Sequence, residues 1–191
     1  MTYTLILSHP DTTSFNHSLT EQIVLALEDE GHQVRVHDLY TEHFQPVLEN
    51  EEIRRRFSFD ELFTRHIRDL REAAGIILVY PDWWGMPPAI LKGWLDRIFR
   101  PGIAFDHRGE EFMPKEKIPL LTGKKALVIS TTNETNPLTQ DGMYEIWRNR
   151  VFDYVGVDRV TFKTFYGIRE SSARDRRQWL KEVVDLTLHW I

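Results

Sequence analysis

The chain has 191 residues, of which 41% are hydrophobic and 28% charged, and its formal net charge is −5. This composition is typical of a globular protein rather than a disordered one, and the modest charge gives no electrostatic reason to expect nucleic acid or an anionic membrane as partner. Because cysteine is absent, disulfides, thiol catalysis and cysteine-ligated Fe–S clusters are excluded, and any redox chemistry must come from a bound cofactor.

The length fits one domain, which we expect to span residues 1–191. Residues 1–9 show no basic segment ahead of their apolar run, and no apolar stretch approaches the roughly 20 residues that cross a bilayer. We therefore expect a cytoplasmic protein without membrane insertion.

The N-terminal part of the chain predicts strand, helix and strand in turn. Residues 3–8 (YTLILS) form a short apolar run, and residues 15–30 have apolar side chains at helical spacing. Gly31 stands where a helix would end, and residues 33–38 (QVRVHD) alternate as a strand does.

The rest of the chain continues this alternation. Residues 75–80 (GIILVY) have the continuous apolar character of a strand covered on both faces. The remaining predicted elements are helices at 60–73, 87–99, 141–154 and 172–190 and strands at 125–130 and 160–165. The mixed segment 101–119 is predicted to be a loop over a pocket, a part of a dimer interface or a plain surface excursion.

Strands that alternate with helices predict a parallel sheet with helices on both faces. Five such strands favour an α/β fold, doubly wound and flavodoxin-like, with strand order 2-1-3-4-5. Ligands bind such sheets beyond the carboxyl ends of the strands. The loops at 9–16, 81–88 and 131–142 should meet there and carry the chemistry.

The first loop has no glycine, so it is neither a G-x-G-x-x-G turn nor a Walker A loop. Thr13, Ser14 and Asn16 instead offer polar side chains just before a helix, whose free N–H groups suit a phosphate. His9 adds an imidazole donor. The competing interpretation is ordinary helix capping without a ligand.

The second loop holds Trp83 and Trp84 among prolines and a glycine. A stiff aromatic wall at the binding edge suits an isoalloxazine ring, and backbone N–H groups near Gly85 can reach the polar atoms of that ring. The alternative is that both tryptophans pack against neighbouring helices.

The following helix (AILKGWLDRIF, residues 89–99) has a broad apolar stripe. One sheet face does not require so wide a stripe, so a monomer should leave part of it in water. This predicts a homodimer that contacts through the helix.

These motifs resemble the flavodoxin-like NAD(P)H:quinone oxidoreductase family, the DT-diaphorase-like group with its bacterial relatives. The likeness rests on His9 with the run TSFN at residues 13–16, on P-x-x-W-x-x-x-P-A-I-L-K-G-W from Pro81 to Trp94, and on Ala104-Phe105. It covers most of the chain.

The resemblance implies bound FAD or FMN, a hydride from NAD(P)H, and ping-pong reduction of a quinone or a similar flat small-molecule acceptor. It also implies the site residues. The phosphate group would bind His9, Thr13, Ser14, Phe15 and Asn16; the ring would contact Pro81, Asp82, Trp83, Trp84 and Gly85; a third wall would come from Thr131, Thr132 and Asn133; and Phe105 would line the substrate pocket. Trp84 and Gly85 would stabilise charge during transfer.

Two departures from the family pattern concern the acceptor site. Asn133-Glu134 stands where a Gly-Gly pair is frequent, and Tyr144 is the nearest counterpart of an assisting tyrosine.

Two other functions stay open: a regulatory flavoprotein subunit of a potassium-efflux-type transport system and a one-electron carrier. The eight histidines show no metal-ligand spacing, so no metal is expected.

Overall fold

The computed structural model describes residues 1–55, 60–109, 116–136 and 141–191. Its strands are β1 (Thr2–Leu7), β2 (Gln33–Asp38), β3 (Gly75–Pro81), β4 (Phe105–Arg108), β5 (Glu116–Pro119), β6 (Lys125–Thr131) and β7 (Arg159–Phe165). Its helices are α1 (Phe15–Asp29), α2 (Asn50–Arg55), α3 (Glu61–Glu72), α4 (Ala89–Ile98), α5 (Asp141–Glu145), α6 (Asp153–Val155) and α7 (Ala173–Trp190). A π-helical segment, Ile146–Phe152, joins α5 to α6.

The five long strands form one parallel sheet in the order β2-β1-β3-β6-β7. Counted among themselves, these strands have the order 2-1-3-4-5, so the predicted doubly wound topology is confirmed. The chain leaves β1 toward β2 on one side and resumes with β3 on the other. This reversal opens a crevice at the carboxyl ends of β1 and β3.

Helices cover both faces of the sheet, which explains the apolar strands. All seven residues of β3 are buried. On one face α1 and α7 pack on the strands through residues such as Leu19 and Val183. On the other face α3, α4 and the helical run from 141 to 155 pack through residues such as Leu70 and Trp94.

Segment 101–119 contains structure that the sequence pattern did not predict. Strands β4 and β5 pair antiparallel, with Phe105 opposite Pro119. They form a small two-stranded sheet beside the main one. The short helix α2 was likewise not predicted.

Most of the apolar stripe of α4 is buried within a single chain, so this helix gives the predicted dimer little support. Its buried members are Leu91, Trp94, Leu95 and Ile98. Ile90 and Phe99 are partly buried and pack against the same core. On another side of α4, Gly93 lies so close to Pro46 that an added Cβ would stand 2.3 Å from the Pro46 carbonyl oxygen. The segment before α2 and the sheet thus cover this helix together.

Candidate functional site

A cavity of about 270 Å³ lies where the predicted loops meet, at the carboxyl ends of β1, β3 and β6. The described residues that line it are His9, Asp11, Ser14, Phe15, Asn16, Pro81, Asp82, Trp83, Thr131, Thr132, Asn133 and Ile168. Most residues named from the sequence are therefore brought together in one place.

Two lining residues were missed. Asp11 belongs to the predicted first loop, but its acidic side chain does not suggest a phosphate site. Ile168 follows β7, which is paired with β6, so the loop after it reaches the same edge of the sheet. The rule that parallel strands end at one edge would have included this loop.

Thr13 is not among the lining residues, because its polar groups bond within the loop. Its hydroxyl donates to Asp11 Oδ1 over 2.7 Å, and its backbone N–H donates to the same oxygen over 2.8 Å. These bonds lower the pKa of Asp11. The first loop is therefore held in shape by an internal carboxylate rather than by glycine.

His9 faces the cavity as a neutral donor. The Asp11 N–H donates to His9 Nδ1 over 3.0 Å, which makes Nδ1 an acceptor and leaves the ring proton on Nε2. A longer 3.2 Å approach of Nδ1 to Asp11 O fits only the other tautomer. Burial lowers the pKa of His9, which favours the neutral ring.

Ser14 occupies the N-cap position of α1, with ψ 158°, but its side chain makes no cap hydrogen bond. Its hydroxyl instead lies 2.9 Å from His17 Nδ1. The first turn of α1 also holds no acidic residue. The His17 N–H donates to the Ser14 carbonyl oxygen over 3.1 Å, whereas the N–H groups of Phe15 and Asn16 have no acceptor among the described residues. These two groups are available to a ligand, which weighs against the simple capping interpretation.

Asn16 links the first loop to the third. Its Nδ2 donates to Thr131 Oγ1 over 2.9 Å, and the side chain is buried, while its Oδ1 has no hydrogen-bond partner among the described residues. Rotating the amide by half a turn would let the Thr131 hydroxyl donate to Oδ1 and would free Nδ2. Asn16 can therefore present either a donor or an acceptor.

The second loop is a tight turn from Trp83 to Met86. Reciprocal backbone hydrogen bonds of 2.9 and 3.1 Å close it, and its central residues, Trp84 and Gly85, have φ of +61° and +73°. Trp83 is 42% exposed and lines the cavity, whereas Trp84 is fully exposed. Trp84 and Gly85 form the tip of the turn and are not among the lining residues.

Backbone contacts fasten the second and third loops to each other and to the loop after β7. Asp82 N–H donates to Thr131 O over 2.7 Å. The Thr132 N–H donates to Phe165 O, and Asn133 Oδ1 accepts from the Arg169 N–H over 3.1 Å. The cavity walls are thus connected mainly through backbone groups. Residues 137–140 of the predicted third loop lie outside the described residues.

Tyr144 and Phe105 are not among the lining residues. Tyr144 packs against Phe162, and its hydroxyl accepts from Arg148 over 3.1 Å. Phe105 is half-buried and makes an edge contact with Tyr154. In this arrangement neither residue touches the cavity.

Within the described ranges, His37, Glu42 and His66 bring possible ligand atoms within 4.8 Å of one another, although no metal was expected. Trp94 Nε1 donates to His66 Nδ1 over 2.8 Å, so the proton of His66 is on Nε2 and faces Glu42 Oε2 at 3.0 Å. That nitrogen has no lone pair for a metal. The two imidazoles also stack, 3.9 Å between centroids, so their ring planes do not converge on one ion. The group forms a buried hydrogen-bond network.

No helix in the described part of the chain is both long and apolar enough to span a membrane.

A family model described as flavodoxin-like fold matches residues 1–186. The chain is 32% identical to the ribosyldihydronicotinamide dehydrogenase [quinone] of Rattus norvegicus, over 92% of this chain and 86% of the rat protein.

Two solved structures are similar over almost the whole chain. A Streptococcus mutans UA159 protein, Smu.1420, is 29% identical with a TM-score of 0.84, and the match covers 98% of each chain. The NAD(P)H:quinone oxidoreductase of Methanothermobacter marburgensis is 26% identical with a TM-score of 0.80, covering 98% of this chain and 95% of that one.

Proposed function

This chain belongs to the flavodoxin-like NAD(P)H:quinone oxidoreductase family, and from that premise we propose that it is a flavin-dependent NAD(P)H dehydrogenase that reduces quinones or similar flat acceptors. The observation that carries the proposal is a single cavity that joins an uncapped helix N-terminus to an aromatic wall. The names of the relatives support an enzyme, and they lend no support to a regulatory subunit of a potassium-efflux-type system.

The residues of the cavity fit a flavin. The first two N–H groups of α1, together with His9 Nε2 and the polar groups of Ser14 and Asn16, would hold its phosphate. The positive end of the helix dipole adds to this attraction. Asn16 Oδ1 has no partner in the described part of the chain, so it is available to a polar group of a ligand.

The remaining walls would orient the ring. Pro81, Asp82 and Trp83 line one side, and Thr131, Thr132 and Asn133 line the other. Trp83 offers an aromatic surface, and the backbone hydrogen bonds between these loops hold the two walls at a defined distance. Trp84, Gly85 and Tyr144 do not line the cavity, so we assign them no part in this arrangement.

A bound flavin, FMN or FAD, would supply hydride transfer from NAD(P)H to the acceptor in ping-pong turnover. The chain's own contribution would be to position both substrates over the same face and to exclude water from the ring. A cytoplasmic location remains part of the proposal, because a chain without cysteine is compatible with a reducing compartment.

The test is to purify the protein, record its spectrum, extract the cofactor and assay NAD(P)H oxidation with a quinone. We expect bands near ~450 nm from an enzyme-bound flavin and quinone-dependent turnover. Failure to bind FMN and FAD would refute the proposal. Flavin binding with negligible turnover would instead favour a regulatory protein, and accumulation of a stable semiquinone would favour an electron carrier.

A homodimer also remains a proposal, on a different surface from the stripe of α4. The turn beside the cavity exposes Trp83 by 42%, Trp84 completely and Met86 by 49%. Adjacent exposed apolar side chains of this size usually mark an interface. A second copy seated on this turn would cover the cavity entrance next to Trp83.

A further inference from the structure

His17 contacts the candidate phosphate site without lining the cavity. Its Nδ1 lies 2.9 Å from the hydroxyl of Ser14, and its Nε2 lies 3.1 Å from Asp38 Oδ2 at the end of β2. The side chains of His17 and Asp38 are 20% and 15% exposed. The three residues form a chain of hydrogen bonds that ends at a cavity hydroxyl.

The orientation of Asp38 is set by the backbone. Its Oδ1 accepts from the N–H groups of Tyr40 and Thr41, over 3.1 and 3.4 Å. Its Oδ2 therefore faces His17 as an acceptor. An ionised carboxylate can only accept, so His17 Nε2 must carry a proton.

This arrangement decides what Ser14 can offer to a ligand. When His17 is neutral, its proton is on Nε2, and bare Nδ1 takes the hydrogen of the Ser14 hydroxyl. Ser14 then presents only lone pairs to the cavity, which oppose a phosphate. When His17 is protonated, Nδ1–H donates to Ser14, and the hydroxyl hydrogen is free to turn to the ligand.

We propose that His17, oriented by Asp38, is a positioning residue that takes up a proton when a flavin phosphate binds and so makes Ser14 a hydrogen-bond donor to that phosphate. This inference rests on the proposed function, because it concerns the same cavity. It assigns a role to two residues that stand outside the lining.

Other titratable groups lie around the same imidazole and the cavity. His9 lies across the loop, with its ring centroid 6.5 Å from that of His17. Asp11 belongs to the same loop, and Asp82 lines the cavity from the second loop. His9 is the other residue here that could take up a proton, so the experiment must separate it from His17.

The test is calorimetric titration with FMN at pH 8 in buffers of different ionisation enthalpy, with riboflavin, which lacks the phosphate, as parallel probe. At this pH the phosphate is already a dianion, so it adds little to the proton balance. Wild-type protein should take up protons as FMN binds, and its FMN affinity should fall as the pH rises from 7 to 9.

In His17→Gln, proton uptake should disappear and FMN should bind roughly tenfold more weakly, whereas riboflavin binding should not change. His189→Gln, at the far end of α7, is the matched control and should behave as wild type. Proton uptake that persists in His17→Gln would belong to His9 and would overturn the proposal.

The variant Asp38→Asn tests whether Asp38 sets the position of the proton on His17 or only stabilises the local structure. An amide there keeps Oδ1 on the two backbone donors and turns Nδ2 toward His17, so the ring proton moves to Nδ1 and frees the Ser14 hydroxyl without an added proton. We expect FMN to bind at pH 9 at least as tightly as to wild type, with no proton uptake. Weaker binding would overturn the proposal.

A gain in Asp38→Asn could also come from removing a negative charge. The double variant His17→Gln with Asp38→Asn decides this, because the gain should vanish without His17; a gain that persists overturns the proposal. Wild type that binds FMN without proton uptake refutes this inference alone. Wild type that binds neither FMN nor FAD refutes the proposed function, and the inference with it.

Discussion

Asn16 Nδ2 donates to Thr131 Oγ1 over 2.9 Å, which joins the first turn of α1 to the end of β6 across 115 positions of sequence. Both side chains are buried, at 3% and 4% exposure. This hydrogen bond closes the cavity between its first and third walls. It therefore connects the stability of the fold to the shape of the site.

Asn16→Ala should lower both stability and flavin affinity. The buried Thr131 hydroxyl loses its partner, which should cost about 1–3 kcal/mol in the free energy of unfolding. FMN affinity should fall about tenfold or more, because the phosphate loses a polar contact. Urea unfolding and FMN titration measure the two effects. Asn149→Ala, at an exposed position, is the control; an Asn16→Ala protein as stable and as tight-binding as this control would contradict the assignment.

Gly93→Ala should destabilise the fold, whereas Gly142→Ala should not. A Cβ at Gly93 would stand 2.3 Å from Pro46 O, a backbone atom that must move, so the substitution should cost about 2 kcal/mol or more. A Cβ at Gly142, in helix α5, meets no atom of the described residues within 4 Å. Alanine there should be neutral or should stabilise by about 0.5–1 kcal/mol. Thermal unfolding of both variants checks the pair, and equal effects would show that α4 does not pack on Pro46 as described.

The turn residue Trp84 should tolerate glycine better than alanine. Its φ of +61° lies in the left-handed region, which costs a residue with a Cβ about 1 kcal/mol. Both substitutions remove the indole, so their difference isolates the backbone. We expect Trp84→Gly to be more stable than Trp84→Ala by about 1 kcal/mol, the reverse of the usual order. Urea unfolding at one protein concentration gives the difference, and the opposite order would refute the turn geometry.

The same turn allows a test of the dimer. Light scattering at micromolar concentration should give twice the chain mass of 22.7 kDa. Trp84→Ser should give monomers, because it removes the most exposed apolar side chain of the turn. Leu25→Ser, which changes a 47% exposed leucine of α1, should stay dimeric. A monomeric wild type would exclude the dimer, and a dimeric Trp84→Ser would move the interface elsewhere.

The buried network around Glu42 should make the fold sensitive to acid. Burial alone raises the pKa of Glu42, but hydrogen bonds from His37 and His66 outweigh it and lower that pKa to about 2. The fold thus favours the ionised carboxylate, so this stabilisation is complete above pH 4.5 and is lost as pH falls toward 2. Burial also lowers the pKa of His66, so unfolded His66 gains its proton first and stability begins to fall below about pH 6.5.

Glu42→Gln should therefore lower the free energy of unfolding at neutral pH by about 2–3 kcal/mol and flatten its decline between pH 5 and 3. Unfolding by urea across this pH range measures both effects. Glu21→Gln, an exposed position on α1, should keep the wild-type profile. If the two profiles coincide, Glu42 does not stabilise the fold through its charge.

The periodic pattern of apolar residues was sufficient to predict the sheet and most of its helices. Burial on two faces produces runs such as residues 75–80, and burial on one side produces helical spacing. Since parallel strands end at one edge, their order along the chain also predicted which loops would meet. His9, Ser14, Asn16 and Trp83 could be assigned to one cavity in this way.

Other features depend on which surfaces meet once the chain has folded. The wide stripe of α4 suggested an exposed face, yet the protein's own core covers most of it. Trp83 and Trp84 are the same residue type in adjacent positions, but a turn with two positive φ angles sends one to the cavity and the other to solvent. The hairpin of β4 and β5 also had no periodic signal, because its strands are only four residues long.

The class of fold, the edge that holds the candidate site and the residue types at that edge could all be predicted from the amino-acid sequence, because hydrophobic periodicity is a local property of the chain. The hydrogen-bond partners, such as His17 with Asp38 and His66 with Glu42, could be identified only in the folded chain. A hydrogen bond requires two atoms within about 3 Å and in alignment. Residues 21 and 24 positions apart reach that geometry only after strand β2 has paired and the helices have packed on the sheet.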